Sequence, residues 1–273
     1  MIVSEVMPPT TGKRRAFVAT MGALHEGHRA LMRVAREQVG SDGEVIVSVF
    51  VNPLQFGAGE DFAEYPRTLD SDAAACDDEG VDVLYVPTVE QVYGSDPSIT
   101  VDPGVLGVDL EGASRPGHFA GVLTVVTILL QQVAPVVAVF GEKDYQQLEL
   151  IRRLCRDLSF PVSIVGVPTV READGLALSS RNRYLSSAER TVAGAIPRAL
   201  RSGAAESTPS RIKEAALAQL QDPGLVIDYV EVRGRDLGPV PSSGEGRLLI
   251  AALVGRTRLI DNCQVIVTSD GAS

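Results

Sequence analysis

The chain has 273 residues, 45% of them hydrophobic, 5% aromatic and none tryptophan. That suffices for one large domain or two modest ones without disulfide or metal staples. With 25 basic and 35 acidic residues the formal charge is −10, which argues against a general binder of nucleic acid or of an anionic membrane, so any bound anion must be held by a local cluster of donors. The cysteines, Cys76, Cys155 and Cys263, are far apart and form no C-x-x-C; the spacing excludes a disulfide framework or a cysteine zinc site and fits a reducing cytoplasm.

Residues 1–15 place Lys13, Arg14 and Arg15 after a short apolar stretch, which does not read as a secretion signal. A first strand is predicted at 16–19 and a helix at 27–39. Residues 44–51 (EVIVSVFV) are β-branched, lie between Gly43 and the turn at Asn52-Pro53, and predict a strand. A helical stretch at 70–79 and a strand at 81–86 follow. Residues 118–133 predict a long apolar helix stopped at Ala134-Pro135, and its apolar run at 119–130 is too short to cross a bilayer. A buried strand at 136–140, a helix at 145–158 with apolar residues at helical spacing, and a strand at 161–167 complete the alternation. Strands and helices in this order predict a Rossmann-like α/β fold, a parallel sheet wrapped by helices. In such sheets ligands gather beyond the carboxyl ends of the strands, which singles out the loops after Ala19, Val51 and Phe140. After 168 the texture changes. Residues 186–220 are Ala-rich and helical, and apolar runs at 226–232, 247–254 and 257–260 predict a small antiparallel sheet. The expected division is therefore 1–170 and a smaller α+β domain at 171–273.

The chain has no G-x-x-x-x-G-K-[ST], no G-x-G-x-x-G and no G-x-S-x-G, so the common phosphate cradles and the common serine nucleophile are absent. The strongest local feature is TMGALHEGH at 20–28, between the first strand and the first helix. A helix start offers unpaired N–H groups and partial positive charge; His25 and His28 would add donors at the same spot, which suits a polyphosphate. The spacing is H-x-x-H rather than the H-E-x-x-H of a helical zinc site. A three-histidine zinc site with His118 stays open as an alternative that needs a loop and a distant helix start to converge. FGEKDYQQ at 140–147 ends a buried strand and brings Lys143 as a point charge for phosphate. Ser179, Ser180 and Arg181 make an anion clamp at the entry to the second domain. In FVNPLQFG at 50–57, Asn52 and Gln55 offer neutral hydrogen bonds in apolar company, right for a small polar substrate.

Six blocks in order, MGALHEGH, FVNPLQFG, EYPRTLDSD, RPGHFAGVLTVV, VFGEKDYQQL and SSRNRYLS, resemble the pantoate–β-alanine ligase family and cover most of residues 20–185. The H-x-G-H signature after strand one is also that of the wider nucleotidyltransferase superfamily. The resemblance implies ATP-dependent ligation of pantoate and β-alanine through a pantoyl adenylate, giving pantothenate, AMP and pyrophosphate. It assigns the ATP site to Met21, Gly22, Ala23, Leu24, His25, Glu26, Gly27 and His28. Gly141, Glu142, Lys143 and Asp144 join that site, as do Val170, Leu178, Ser179, Ser180 and Arg181. His25 is implied as a proton donor; His28, Lys143 and Arg181 supply further donors and cations for the phosphates. Gln55 and Gln147 are implied to hold pantoate, with Gln55 also near β-alanine.

Mg²⁺ is expected to accompany ATP, held by phosphate oxygens and water, with Asp72 as a weak candidate ligand. The resemblance further implies a homodimer, the cysteine usage a cytoplasmic location, and the second domain is expected to act as a lid that keeps water from the mixed anhydride. Two positions depart from the family pattern: Ala19 stands where Pro is usual, and Leu178 where Met is usual. The N-terminus leaves little room for the helix that commonly precedes the first strand. Competing readings are an adenylyltransferase with another acceptor and a nucleotide-binding regulator without turnover.

Overall fold

The computed structural model describes residues 1–57 and 62–269. A short edge strand β1 (Ile2–Ser4) precedes β2 (Arg15–Thr20), α1 (Glu26–Val39) and β3 (Glu44–Val49). Then come α2 (Leu69–Asp78), β4 (Val83–Tyr85), α3 (Val89–Tyr93), α4 (Glu111–Ser114) and α5 (His118–Val133). The parallel part closes with β5 (Val137–Gly141), α6 (Tyr145–Asp157) and β6 (Ser163–Val167). The strand order is β1-β4-β3-β2-β5-β6, all parallel, which is the Rossmann-like sheet that the alternation predicts. Beyond it lie α7 (Ser187–Ala193), α8 (Ala195–Ala204), α9 (Pro209–Ala218) and the antiparallel sheet β7 (Leu225–Gly234), β8 (Gly244–Val254) and β9 (Thr257–Val267).

The chain divides into two compact units. The first is Met1–Glu142 with Gln146–Pro168; the second is Lys143–Tyr145 with Thr169 onward. In the first, Ala16 and Val18 of β2 pack with Met32 and Ala35 of α1, while Phe17 between them is buried as well. A strand buried on both faces needs the continuous apolar run seen in its sequence. The amino ends of β2 and β3 carry a buried ion pair, Arg15 Nε to Glu44 Oε2 at 3.0 Å. The Arg15 guanidinium also donates to the carbonyls of Pro8, Pro9 and Val133. Burial of this pair is tolerated because its hydrogen-bonding groups find partners, and those bonds hold the irregular stretch between β1 and β2.

Two expectations need correction. Residues 1–15 contain β1, which lies parallel to β4 at the sheet edge; its residues are half-buried or exposed and so carry no burial pattern. The last strand does not end at 260 but continues to Val267, paired along its length with β8. Asp261 and Asn262 interrupt its apolar pattern, yet both are buried.

In the second unit α8 and α9 cover one face of the sheet. Ile196, Leu200 and Ile212 meet Leu248, Ile250, Leu259 and Val265 there. Among the described residues no helix is long and apolar enough to cross a membrane.

Candidate active site

The sheet reverses direction at β2: β3 and β4 build outward on one side, β5 and β6 on the other. Such a switch point opens a crevice at the carboxyl edge. The loops after β2, β3 and β5 leave that edge side by side, the three that the sequence singles out.

The first loop is fixed from below. Thr20 Oγ1 donates to the Ser48 carbonyl at 2.7 Å and accepts from the Gly22 N–H at 3.2 Å. Gly22 has φ +84°, and a Cβ there would lie 3.0 Å from Asp72 Oδ2 and 3.1 Å from Val49. Position 22 therefore requires glycine on both conformational and steric grounds. Asp72, 1% exposed, accepts from the Ala23 N–H at 3.1 Å and the Leu24 N–H at 2.8 Å, one on each carboxylate oxygen. The carboxylate weighed as a metal ligand is thus engaged in clamping the loop.

His25 is the N-cap of α1, with extended backbone; its Nδ1 accepts from the Gly27 N–H at 3.1 Å. His28 reaches back, its Nδ1 accepting from the His25 N–H at 3.2 Å. The rings lie 4.1 Å apart between centroids. This is a capping box built from two histidines. A nitrogen that accepts carries no proton, so a neutral imidazole bonded in this way carries its N–H at Nε2. Glu26, in the first helical turn, pairs with Arg33 at 2.6 Å.

The second loop carries Gln55 in a short turn, Pro53–Gln55. Asn52, fully buried, caps the turn by accepting from the Leu54 N–H, and its amide donates to Gln55 Oε1 at 3.0 Å and to the Gly121 carbonyl at 3.2 Å. Tyr93 Oη donates to Asn52 Oδ1, and burial pushes that phenol well above its ordinary value, so it stays a donor. Gln55 Nε2 points at Met21 Sδ, 3.0 Å away, which ties the second loop to the first. At Gly121 a Cβ would lie 2.2 Å from the Leu54 carbonyl oxygen. Only glycine lets α5 approach the turn so closely. Next to it, the His118 ring meets the Gln55 carbonyl at 2.8 Å through Nδ1 and Arg115 at 3.0 Å through Nε2.

The third loop begins at Gly141, where an added Cβ would meet nothing within 4 Å. Gln146, 2% exposed, donates to the carbonyls of Leu106 and Asp109 and accepts from the Glu111 N–H at 2.9 Å. Gln147 is only half-buried, and among the described residues it makes no side-chain hydrogen bond. The two adjacent glutamines are thereby separated into a structural one and one available to a ligand.

In the second unit, Lys143 lies in the turn Glu142–Asp144, its Nζ 3.5 Å from Asp144. Val170 accepts at its carbonyl from the Leu178 N–H at 2.9 Å, closing a small hairpin. Ser179 then caps the turn Ser180–Tyr184 by accepting from the Arg181 N–H at 3.3 Å. Ser179, Ser180 and Arg181 are half-buried, while Asn182 is buried and donates to Glu172 at 2.6 Å and to the Ala177 carbonyl.

The three thiols are poor nucleophiles: burial pushes Cys76 up to about 12 and Cys155 and Cys263 to about 11. Among the described residues no group of three or more His, Cys, Asp or Glu side chains could hold a metal ion. The three-histidine zinc alternative fails on His118, whose two ring nitrogens face the Gln55 carbonyl and the Arg115 guanidinium. In the first unit, what remains is a helix start with its N–H groups and two imidazoles, a kind of place suited to an anion.

A family profile described as pantoate-beta-alanine ligase matches residues 3–264. The chain belongs to the pantoate–β-alanine ligase family. It is 54% identical to the pantothenate synthetase of Saccharopolyspora erythraea over 96% of this chain and 87% of that protein. To the pantothenate synthetase of Mycobacterium sp. strain KMS it is 58% identical, over 96% of this chain and 84% of the other. The crystal structure of pantothenate synthetase from Thermus thermophilus matches with a TM-score of 0.89 at 42% identity, covering 96% of this chain and 99% of that one. The ligase from Francisella tularensis, crystallised with β-γ ATP and β-alanine, matches with a TM-score of 0.80 at 34% identity over 96% and 97% of the two chains.

Several residues that shape this candidate site escape a motif search. Asp72 stands out in sequence only as a carboxylate, and its role as loop clamp needs the fold. Gly121 is a detectable signal, a glycine inside an otherwise apolar helix, which marks close approach by another backbone. Tyr93 and Gln146 carry no signal, because their partners lie 41 and 35 or more residues away.

Proposed function

We propose that this ligase joins pantoate to β-alanine in two steps. The pantoate carboxylate attacks the α-phosphorus of ATP, forming the acyl–phosphate bond of pantoyl adenylate and expelling pyrophosphate. The amine of β-alanine then attacks the acyl carbon, loses a proton and releases AMP, leaving pantothenate. ATP is bound by Met21, Gly22, Ala23, Leu24, His25, Glu26, Gly27 and His28, by Gly141, Glu142, Lys143 and Asp144, and by Val170, Leu178, Ser179, Ser180 and Arg181. His25 and His28 donate from Nε2 to phosphate oxygens, and Lys143 and Arg181 offset the charge that develops on the leaving pyrophosphate. Gln55 and Gln147 hold pantoate, and Gln55 also borders β-alanine.

The observation that carries this reading is the reciprocal cap of His25 and His28. It fixes two imidazoles, each with Nδ1 engaged as an acceptor, at the start of the helix that follows the strand where the sheet order switches. The tie from Gln55 to Met21 supports a pantoate site next to the phosphates. Mg²⁺ enters with the triphosphate, held by its oxygens and water; Asp72 does not fit as a ligand, since both of its oxygens already accept backbone N–H groups. Residues 171–273 serve as a lid over a water-sensitive anhydride, and the protein works as a cytoplasmic homodimer. Sedimentation velocity tests the dimer, and small-angle scattering with and without ATP and pantoate tests the lid.

The decisive measurement is pantoate-dependent ATP–pyrophosphate exchange without β-alanine. Exchange that collapses in His25→Ala establishes the adenylate half-reaction. AMP release that appears only with β-alanine replaces the two-step scheme with an ordered or concerted one. ATP binding without either activity points to another acceptor acid or to a regulator.

A further inference from the structure

The two nucleotide segments of the second unit are held by neighbouring residues of one strand. On β9, Asp261 and Asn262 are 3% and 4% exposed. Successive strand residues face opposite sides. Asp261 shares the alternation of Leu259 and Val265, which pack in the helix-covered core, and Asn262 faces the other way.

On its face, Asn262 Nδ2 donates to the Lys143 carbonyl at 2.9 Å, and its Oδ1 accepts from Arg247 Nε at 2.7 Å. The Arg247 guanidinium lies over the Tyr145 ring, 3.8 Å from its centroid, and Tyr145 Oη donates to the Arg235 carbonyl at 2.8 Å. Lys143–Tyr145 is thereby fastened at both of its ends. On the other face, Asp261 binds Arg171 through both carboxylate oxygens, at 2.6 and 3.0 Å. Arg171 pairs with Ala177 in the hairpin whose next residue, Leu178, opens the segment ending at Arg181. The Asn262 N–H donates to Asp261 Oδ1 at 2.8 Å, so the two anchors are joined to each other.

We infer that Asp261 and Asn262 are positioning residues for the phosphate-facing cations: Asn262 sets Lys143, and Asp261 sets the hairpin that leads to Arg181. The inference rests on the ATP reading above and extends it to a strand that no nucleotide motif includes. Two polar side chains buried in mid-strand are costly unless bonded. Their bonds here run to the two segments that carry charge toward phosphate.

The test is a pair of mutant cycles on the full-length protein, read by ATP affinity in titration calorimetry and by kcat and KM for ATP in pantoate-dependent exchange. Asn262→Asp keeps the acceptor for Arg247 and replaces the donor to Lys143 with a carboxylate oxygen. It is expected to weaken ATP binding about tenfold in the wild-type background and less than about twofold in Lys143→Ala, as coupled neighbours do. Asp261→Asn is expected to show the same dependence on Arg181→Ala. An equal loss in both backgrounds, tracking a fall in melting temperature, overturns the proposal, because a residue that merely supports the fold costs the same with or without the cation. Asn262→Ser, neutral and smaller, is measured in parallel should Asn262→Asp fail to fold. Failure of both to fold also overturns the proposal, since the pair is then a folding element. Wild-type protein that shows no exchange sinks the ligase reading, whereas normal wild-type exchange with additive cycles sinks the positioning role alone.

Discussion

The loop at 20–28 and the segment at 178–182 are proposed to serve one nucleotide, yet they are built in opposite ways. In the first, nearly everything is local. Thr20 bonds Gly22, His25 and His28 cap each other within one helical turn, and one distant residue, Asp72, secures the Ala23 and Leu24 amides. In the second, the Ser179 cap is local, but the hairpin leading to it hangs from Asp261, 90 positions from Arg171. A helix start brings its own donors and needs little scaffolding. A side-chain clamp in a short turn has no such field and depends on a sheet to fix it.

The largest effect expected of this contrast is at His25. His25→Ala removes cap and donor together, and exchange should fall by about 10²–10³-fold, the usual loss for one preorganised donor. His25→Asn restores a good cap, so thermal unfolding should recover about 1 kcal/mol relative to alanine while exchange stays low. Recovery of both would reduce the first loop to a structural cap. Next is Gly121→Val, which places side-chain atoms where the Leu54 carbonyl lies. Overpacking of about 1–3 kcal/mol and a raised KM for pantoate are expected, with ATP affinity kept. An unchanged KM would detach Gln55 from pantoate.

Asp72→Asn leaves one of the Ala23 and Leu24 amides facing a poorer partner. It should cost about 1–3 kcal/mol in chemical denaturation and lower ATP affinity. Unchanged ATP affinity would show that the first loop holds its shape without the Asp72 clamp. The smallest effect belongs to Glu79, whose carboxyl Arg33 and Arg29 hold below its ordinary value of 4.5. A lowered carboxylate stabilises the fold above its unfolded value, and that contribution is lost as pH falls through the folded one. Glu79→Gln should therefore flatten the acid limb of the melting profile slightly and leave exchange at neutral pH untouched. A change in exchange would mean that the α1–α2 ion pairs reach the first loop.

Reading the chain unaided places elements, and the residues at their ends, where the pattern is local. His25 and His28 are two of three histidines in the chain, spaced at a helix start behind an apolar run. Lys143 follows a buried strand. It fails where a polar residue is buried by distant partners. The predicted end of the last strand at 260 falls just before Asp261 and Asn262, because hydrophobic alternation reports burial and these two are buried by bonds to Arg171, Arg247 and Lys143. It likewise misses β1, an edge strand without a buried face, and it offers Asp72 only as a weak candidate ligand, with no sign of its bonds to the Ala23 and Leu24 N–H groups.

By itself the sequence determined the alternation of strand and helix, the three loops at the sheet's carboxyl edge and the residue types of phosphate chemistry, since period, turn residues and motif spacing are all local. Only the tertiary structure decided that Gln146 rather than Gln147 is tied into the fold, why Gly121 cannot carry a side chain, and that β9 bonds both the turn at Lys143 and the hairpin at Arg171. Each of those depends on groups far apart in the chain meeting at hydrogen-bond or van der Waals distance, and no local pattern encodes such a meeting.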